Sequence, residues 1–279
     1  MESLGDVRNA ISSFVQDREW GKFHTPKNVA LALSGEIGEI SEIFQWKGSL
    51  KMGLNDSFTS QDREHIGEEV SDVFIYTVRL SDLSGVNLST VVHDFVTCTN
   101  CVFTSDNRCI PGSHWVKDLN FTELYKLERA NRTKRHSTDV ANTQSPRDVL
   151  FHLHTQLGKL SAILHIRSEE DCSIGLKAWN DEELGSFSEA LASIILDLTW
   201  ITDLCDLSLP EVLSDKITKN NKKYPADRCR GKSAKYTSYL TSTSKVSIST
   251  ALVSSVTLFI IGVGLGYSFR SGKVAYGYR

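Results

Sequence analysis

The sequence predicts an all-α protein made of two tandem helical repeats that pair as a pseudo-dimer, followed by a C-terminal transmembrane helix. Long stretches carry apolar residues at three- and four-residue spacing, and only 5 of the 279 residues are proline. The helix-start motif at Thr25-Pro26 recurs at Ser145-Pro146, 120 residues later. The net charge of −3 supplies no general attraction for a nucleic acid polymer, so such a partner is not expected.

Three helices are predicted in the first repeat, which we place at residues 1–97. Pro26 occupies the first helical position after its N-cap, and the apolar periodicity that follows extends to Trp46. A second helix is predicted over about 61–84, and a third begins near Ser89.

Periodicity weakens over 98–144, which is interpreted as a linker or insertion because polar residues and a basic cluster at 129–136 dominate it. Part of this segment has the order of a Cys3His zinc site, although loose spacing favours an ordinary loop with free thiols. The four candidate ligands are Cys98, Cys101, Cys109 and His114.

The helical pattern returns in a second repeat, placed at residues 145–240. Gly158 and Ser161 fall on Gly38 and Ser41 at an offset of 120 residues. Further along the chain the offset becomes 121. This self-similarity indicates an internal duplication.

Residues 246–269 form a run without charges that is long enough to span a bilayer, bounded by Lys245 and Arg270. We interpret it as a tail anchor of the mitochondrial outer membrane or the endoplasmic reticulum, with the bulk of the chain facing the cytosol. The alternative is a buried C-terminal core helix.

Four acidic residues form two pairs, each with a spacing of three residues and so on one face of its helix. The surrounding positions on both faces are apolar. Converging carboxylates would repel one another unless a cation lies between them, and all-oxygen ligands suit Mg²⁺ or Mn²⁺. Solvated surface acids are the alternative. The pairs are Glu36 with Glu39 and Glu69 with Asp72.

The stretches 31–47 and 68–76 resemble the all-α MazG-like nucleoside triphosphate pyrophosphohydrolases, in particular the dCTP pyrophosphatases, and residues 17–24 match an upstream segment of these enzymes. The resemblance covers about residues 7–95 and 145–237. It implies hydrolysis of a (deoxy)nucleoside triphosphate to the monophosphate and pyrophosphate with magnesium as cofactor.

The resemblance also implies roles for individual residues. The four paired acids match the magnesium ligands and are the expected catalytic residues. Lys216 and Asn220, in the basic ending of repeat two, match residues suited to grip phosphate oxygens. Ile11 stands where dCTP pyrophosphatases have a histidine. A base and sugar pocket is implied for Trp20, Gly21, Lys22, Phe23, His24, Trp46 and Tyr76, with core filling as the alternative for the two tryptophans.

The second repeat lacks the acids, so no metal is expected there. Conversely, the basic ending 216–225 occurs only in the second repeat. We therefore hypothesise one composite site per chain, with acids from repeat one and phosphate-gripping residues from repeat two. The residues at the four acid positions are Gln156, Lys159, Ala190 and Ser193.

The sequence thus favours a membrane-anchored, magnesium-dependent nucleoside triphosphate diphosphatase that clears dCTP or related nucleotides from the pool. We expect it to form a homo-oligomer. A non-catalytic pseudoenzyme that serves as a membrane-anchored scaffold is the competing hypothesis.

Overall fold

The computed structural model describes residues 1–47, 58–97, 102–103, 109–110, 118–135 and 145–232. Helices dominate this part of the chain, which confirms the all-α class. A short antiparallel pair, β1 (Val102–Phe103) and β2 (Cys109–Ile110), is the exception. The helices are α1 (Leu4–Asp17), a 3-10 turn (Trp20–Phe23), α2 (Pro26–Gln45), α3 (Ser60–Leu83), α4 (Leu88–Thr97), α5 (Phe121–Arg135), α6 (Pro146–His165), α7 (Asp181–Leu204), α8 (Leu209–Lys223) and α9 (Ala226–Cys229).

The starts of α2 and α6 follow from the same local chemistry. The Thr25 side chain accepts a hydrogen bond from the backbone N–H of Asn28, and proline follows at the first helical position. Ser145 does the same for Asp148, whose carboxylate accepts from the Ser145 backbone N–H to close a capping box. The predicted N-cap of α2 is therefore confirmed.

The two long helix pairs correspond in length and in register. Helices α2 and α6 each have 20 residues, and α3 and α7 each have 24. From the bounds given above, α6 follows α2 by 120 residues at both ends and α7 follows α3 by 121. Gly85 and Asp206, also 121 residues apart, both adopt positive φ in the turns that follow. The spacing found in the sequence is thus matched by equivalent local structure.

Helix α5 lies inside the segment that composition indicated to be a linker, and that interpretation is corrected for residues 121–135. Leu124 is fully buried and Leu127 nearly so. The buried face of α5 also carries Glu128 and Asn131, so no continuous apolar stripe marked it in the sequence.

Helices of the two predicted repeats exchange partners: α8 lies on α3, and α4 lies on α7. The contact between α8 and α3 is close, since a Cβ atom placed on Gly67 would stand 2.8 Å from Cγ1 of Val212. Helices α2 and α6 also meet, with Ser41 Oγ 2.9 Å from Nε2 of His154. The starts of α1 and α5 are paired by their backbones, because the Leu4 N–H donates to the Leu119 carbonyl at 2.9 Å.

Among the described helices, only α7 is long and apolar enough to cross a membrane, but 83% of its apolar window is buried inside the protein. It therefore serves as the central core helix here. The predicted membrane segment at 246–269 and the zinc candidates Cys98, Cys101 and His114 lie outside the described residues. The side chain of Cys109 is not described either.

Glu128 gives a testable pH effect on stability. Burial raises the pKa of its carboxyl to about 7, with Arg132 opposing and Asp203 adding to the rise. The folded protein therefore keeps the proton after the unfolded chain has released it, and this contribution is lost as pH rises from about 4.5 to about 7. The lost stabilisation amounts to about 3 kcal/mol.

We expect Glu128→Gln not to lose this stability. Its thermal midpoint should therefore rise relative to that of the wild type as the pH increases from 5 to 8. The exposed Glu123 on the same helix provides the control, Glu123→Gln. Parallel pH profiles of Glu128→Gln and the wild type would contradict the assignment.

Candidate metal and nucleotide site

Three acidic side chains converge between α2 and α3. One carboxylate oxygen from each of Glu36, Glu69 and Asp72 lies within 4.8 Å of the others. Helical periodicity places Glu69 and Asp72 on the face of α3 that packs against α2. Glu39, one turn after Glu36, is exposed and lies outside this tight trio, but its charge acts on both Glu36 and Glu69.

Ionisation of all three carboxylates of the trio raises the free energy of the folded protein. Burial raises the pKa of Glu36 to about 7, and the neighbouring charges of Asp72 and Glu39 add to the rise. Burial also raises the pKa of Glu69 and of Asp72, in both cases against the opposing effect of Lys216. A cation placed among these groups would relieve both the desolvation and the repulsion.

The donors present fit a hard divalent cation. Glu69 is only 5% exposed, and its Oε1 lies 3.1 Å from Nε2 of His65. Its Oε2 is buried and has no hydrogen-bond partner among the described residues. An orphaned carboxylate oxygen beside two more carboxylates provides the all-oxygen surroundings that such ions require.

Helix α8 brings basic and amide groups of the second repeat to these acids. Lys216 is 8% exposed, and its ammonium forms an ion pair with Asp72 and lies 3.9 Å from Glu68. The side chain of Asn220, one turn further, also hydrogen-bonds Asp72. Lys219 lies 2.5 Å from both Glu64 and Glu68 at the rim. Asp72 and Lys216, which were predicted to share a site, are therefore in contact.

Glu36 and Asp72 line an open cleft between α1, α3 and α8. Trp20 is fixed in the wall of this cleft, because its Nε1–H donates to the Cys229 carbonyl at 3.2 Å and its ring meets Phe14 and Tyr224 edge to face. The cleft is lined by Glu36, Asp72 and Asn220 at the acidic end and by Ile11, Phe14, Trp20, His24, Tyr76 and Arg79 beyond it.

Tyr76 and His24 lie in this wall in their neutral forms. Burial and the nearby acids raise the pKa of Tyr76 well above its usual value, so the phenol keeps its proton. Burial and the charge of Arg79 lower the pKa of His24 to about 4. The predicted residues Trp20, His24 and Tyr76 thus share one cleft, in which the His24 ring and the Tyr76 phenol are uncharged.

Other predicted pocket residues lie elsewhere. Gly21, Lys22 and Phe23 form the 3-10 turn after Trp20 but do not line the cleft, and the Lys22 ammonium stands 5.1 Å from the Phe23 ring centre. Trp46 is 86% exposed at the end of α2, beside Glu39 and His65. Trp46, which was expected in the same base and sugar pocket as Trp20, therefore does not line the cleft that contains Trp20.

One residue of the cleft, and one that contacts its lining, were missed from the sequence. Arg79 lies two helical turns after Asp72 on the same face of α3, a spacing that could have identified it. Arg18, only 3% exposed, carried no signal: its Nε donates to the Tyr224 carbonyl at 2.7 Å and its Nη2 to Asn221 Oδ1 at 3.1 Å. These bonds attach the end of α8 to α1.

In the second predicted repeat, the helix face that corresponds to the acidic trio carries a hydrogen-bonded network of side chains. His152 Nδ1 lies 2.6 Å from Asp197, and its Nε2 lies 2.9 Å from Nε2 of Gln156. Ala190 and Ser193 are buried beside them, and Lys159 is exposed. Neutral side chains therefore occupy three of the four positions equivalent to the acids.

Ninety residues of the chain are 40% identical to dCTP pyrophosphatase 1 of Homo sapiens and to that of Rattus norvegicus, and 39% identical to that of Bos taurus. The match covers 32% of this chain and 52 to 53% of each relative. The chain thus spans about half the length of the curated relatives it matches. No family model and no solved structure matches it. The resemblance to dCTP pyrophosphatases is confirmed over this stretch.

Removing one carboxylate of the trio should weaken metal binding at this site. We expect Glu69→Gln to weaken binding of Mg²⁺ or Mn²⁺ by at least about 100-fold, since even loss of an outer partner of a metal ligand costs roughly 10- to 100-fold. Isothermal titration calorimetry on the nucleotide-free protein measures this. Glu182→Gln, an exposed acid in the first turn of α7, is the control and should bind like the wild type. Equal affinities for all three proteins would refute the site.

Proposed function

We propose that this protein hydrolyses a nucleoside triphosphate, dCTP or a related (d)NTP, to the monophosphate and pyrophosphate with Mg²⁺ as cofactor. The observation that carries this proposal is the trio Glu36, Glu69 and Asp72, of which Glu36 and Asp72 line a cleft that also has an aromatic wall. Relatives named dCTP pyrophosphatase, 40% identical over 90 residues, support the same reaction.

In the proposed reaction a water oxygen attacks the α-phosphorus, the bond from this phosphorus to the oxygen that bridges to the β-phosphorus breaks, and pyrophosphate leaves. Glu36, Glu39, Glu69 and Asp72 would hold Mg²⁺, which when bound neutralises the triphosphate and favours ionisation of the attacking water. The water's proton passes to a carboxylate of the cluster. Lys216 and Asn220, already beside Asp72, would bind phosphate oxygens at the same end.

The nucleoside would occupy the aromatic part of the cleft. Trp20 offers a fixed ring face for stacking, and Tyr76 and His24 offer neutral hydrogen-bonding groups. Ile11 makes one wall apolar. This wall would favour a flat base that does not carry a charge.

We also propose that the chain is a tandem duplication, with repeats at 1–97 and 145–240 around the connector 98–144, and that it folds as a pseudo-dimer. The constant offsets of α6 and α7 and the exchange of α4 and α8 between the repeats support this. A membrane anchor at 246–269 and further homo-oligomerisation complete the proposal. Both rest on the sequence.

A panel of nucleotides tests the reaction. We expect release of pyrophosphate from dCTP or a related (d)NTP in the presence of Mg²⁺, and no release in its absence. Glu39→Gln should lower kcat by about 100-fold or more because one charged ligand is lost. Failure of the wild type to hydrolyse any nucleotide of the panel would favour the scaffold hypothesis.

The composite nature of the site has its own test. Lys216→Ala should lower kcat by about 100-fold, since removal of one group that stabilises transition-state charge usually costs 10²- to 10³-fold. Lys222→Ala, an exposed lysine on the same helix, should keep the wild-type rate. Full activity of Lys216→Ala would reject a contribution of the second repeat to catalysis.

A further inference from the structure

Two residues of the cleft wall that lie apart from the acid trio contact each other. The Nε–H of Arg79, on α3, donates to Nδ1 of His24 at 3.3 Å. Arg79 Nη1 also donates to Asp82 at 2.7 Å, and the Arg79 side chain is 12% exposed. The guanidinium is thus held by its own helix on one side and supports His24 on the other.

This contact fixes the protonation pattern of the His24 ring. A guanidinium keeps its charge in proteins and can only donate hydrogen bonds. Nδ1 of His24 must therefore be the acceptor, which places the single ring proton on Nε2. Burial and the charge of Arg79 hold the pKa of His24 near 4, so the ring stays neutral at physiological pH. No partner for Nε2 is found within the described residues.

The position of this pair indicates which part of a nucleotide it meets. Arg79 follows Asp72 by two turns of α3, roughly 10 Å along the helix axis. Ile11, Phe14 and Trp20 line the cleft with His24, and Lys216 pairs with Asp72. A triphosphate would favour an imidazolium, which the neighbouring Arg79 disfavours. The neutral ring therefore suits an uncharged oxygen of the nucleoside.

We propose that Arg79 is a positioning residue that locks His24 as a neutral Nε2–H donor, and that this donor selects nucleosides by an acceptor oxygen on the sugar or the base. This inference rests on the proposed function for its substrate. The lock itself is a property of the free protein and can be tested without any turnover.

The first test is long-range ¹H–¹⁵N NMR of His24 in the full chain without nucleotide. The wild type should show the Nε2–H tautomer and no titration above about pH 5. In Arg79→Met, which keeps the length of the side chain but cannot donate, a mixture of tautomers and a pKa nearer the usual 6.5 are expected. Arg79 is the only charged group whose effect on this pKa is found among the described residues.

Arg63→Met is the matched control, because Arg63 lies on the same helix and donates to the Cys205 carbonyl at 3.2 Å, on the side facing the second repeat. Arg63→Met should lose about as much side-chain packing as Arg79→Met and leave the NMR spectrum of His24 unchanged. Melting curves of both variants establish that they are folded. An unchanged tautomer in folded Arg79→Met, or an equal change in Arg63→Met, would overturn the lock.

The second test separates selection from simple loss of structure. We expect Arg79→Met to raise KM for the preferred nucleotide about tenfold, the cost of about one hydrogen bond, with kcat little changed. The wild type should also use one of two nucleotide analogues less well than the preferred nucleotide. This is the analogue with a 2-thio base if a base carbonyl is the acceptor, and the analogue with a 3′-deoxy sugar if the sugar oxygen is the acceptor. Arg79→Met should lose that discrimination.

A fall in kcat alone, or equal use of both analogues by the wild type, would overturn the selective role. Absence of wild-type turnover on every nucleotide would refute the proposed function instead, and the NMR result would then still decide whether Arg79 locks His24.

Discussion

The ion pair between Lys216 and Asp72 is the interaction on which the arrangement of the two repeats depends. Three buried or partly buried carboxylates on α2 and α3 cannot all ionise without a compensating charge, and the ammonium from α8 supplies it. The contact requires α8 to lie close along α3, which the absence of a side chain at Gly67 permits. Arg18 then ties the end of α8 to α1. One charge requirement thus fixes three helices from both repeats.

The same exchange of helices produces a different result on the other side of the pseudo-dimer. There α4 of the first repeat lies on α7, and Phe95 stands at the position equivalent to Lys216. Phe95 supplies no positive charge. The residues that correspond to the acidic site are instead His152, Gln156 and Asp197, which hydrogen-bond one another. Under the proposed duplication, the two sides lie within one chain and can diverge, which identical subunits related by symmetry cannot do.

The parts that could be predicted from the sequence are those determined by short-range chemistry. The start of α2, the trio of acids and the register of α6 follow from caps, three-residue spacing and repetition. Helix α5 could not be predicted, because its buried face mixes leucines with Glu128 and Asn131. Residue type suggested a pocket for Trp46 but could not show that the end of α2 directs it to solvent. The contact of Arg79 with His24 depends on tertiary packing between segments 55 residues apart.

The second repeat also provides an internal comparison that bears on why the acids are present at all. Its long helices have the same lengths and offsets, and they pack with Gln156, Ala190 and Ser193 where the first repeat has Glu36, Glu69 and Asp72. The fold therefore does not require carboxylates at these positions. Burial raises the pKa values of all three acids, so their ionised forms destabilise the folded chain at neutral pH. A scaffold would gain stability from the neutral set, whereas a site for a cation and a phosphorylated ligand needs the acidic one. The retention of the costly set beside an aromatic cleft favours catalysis over a purely structural role.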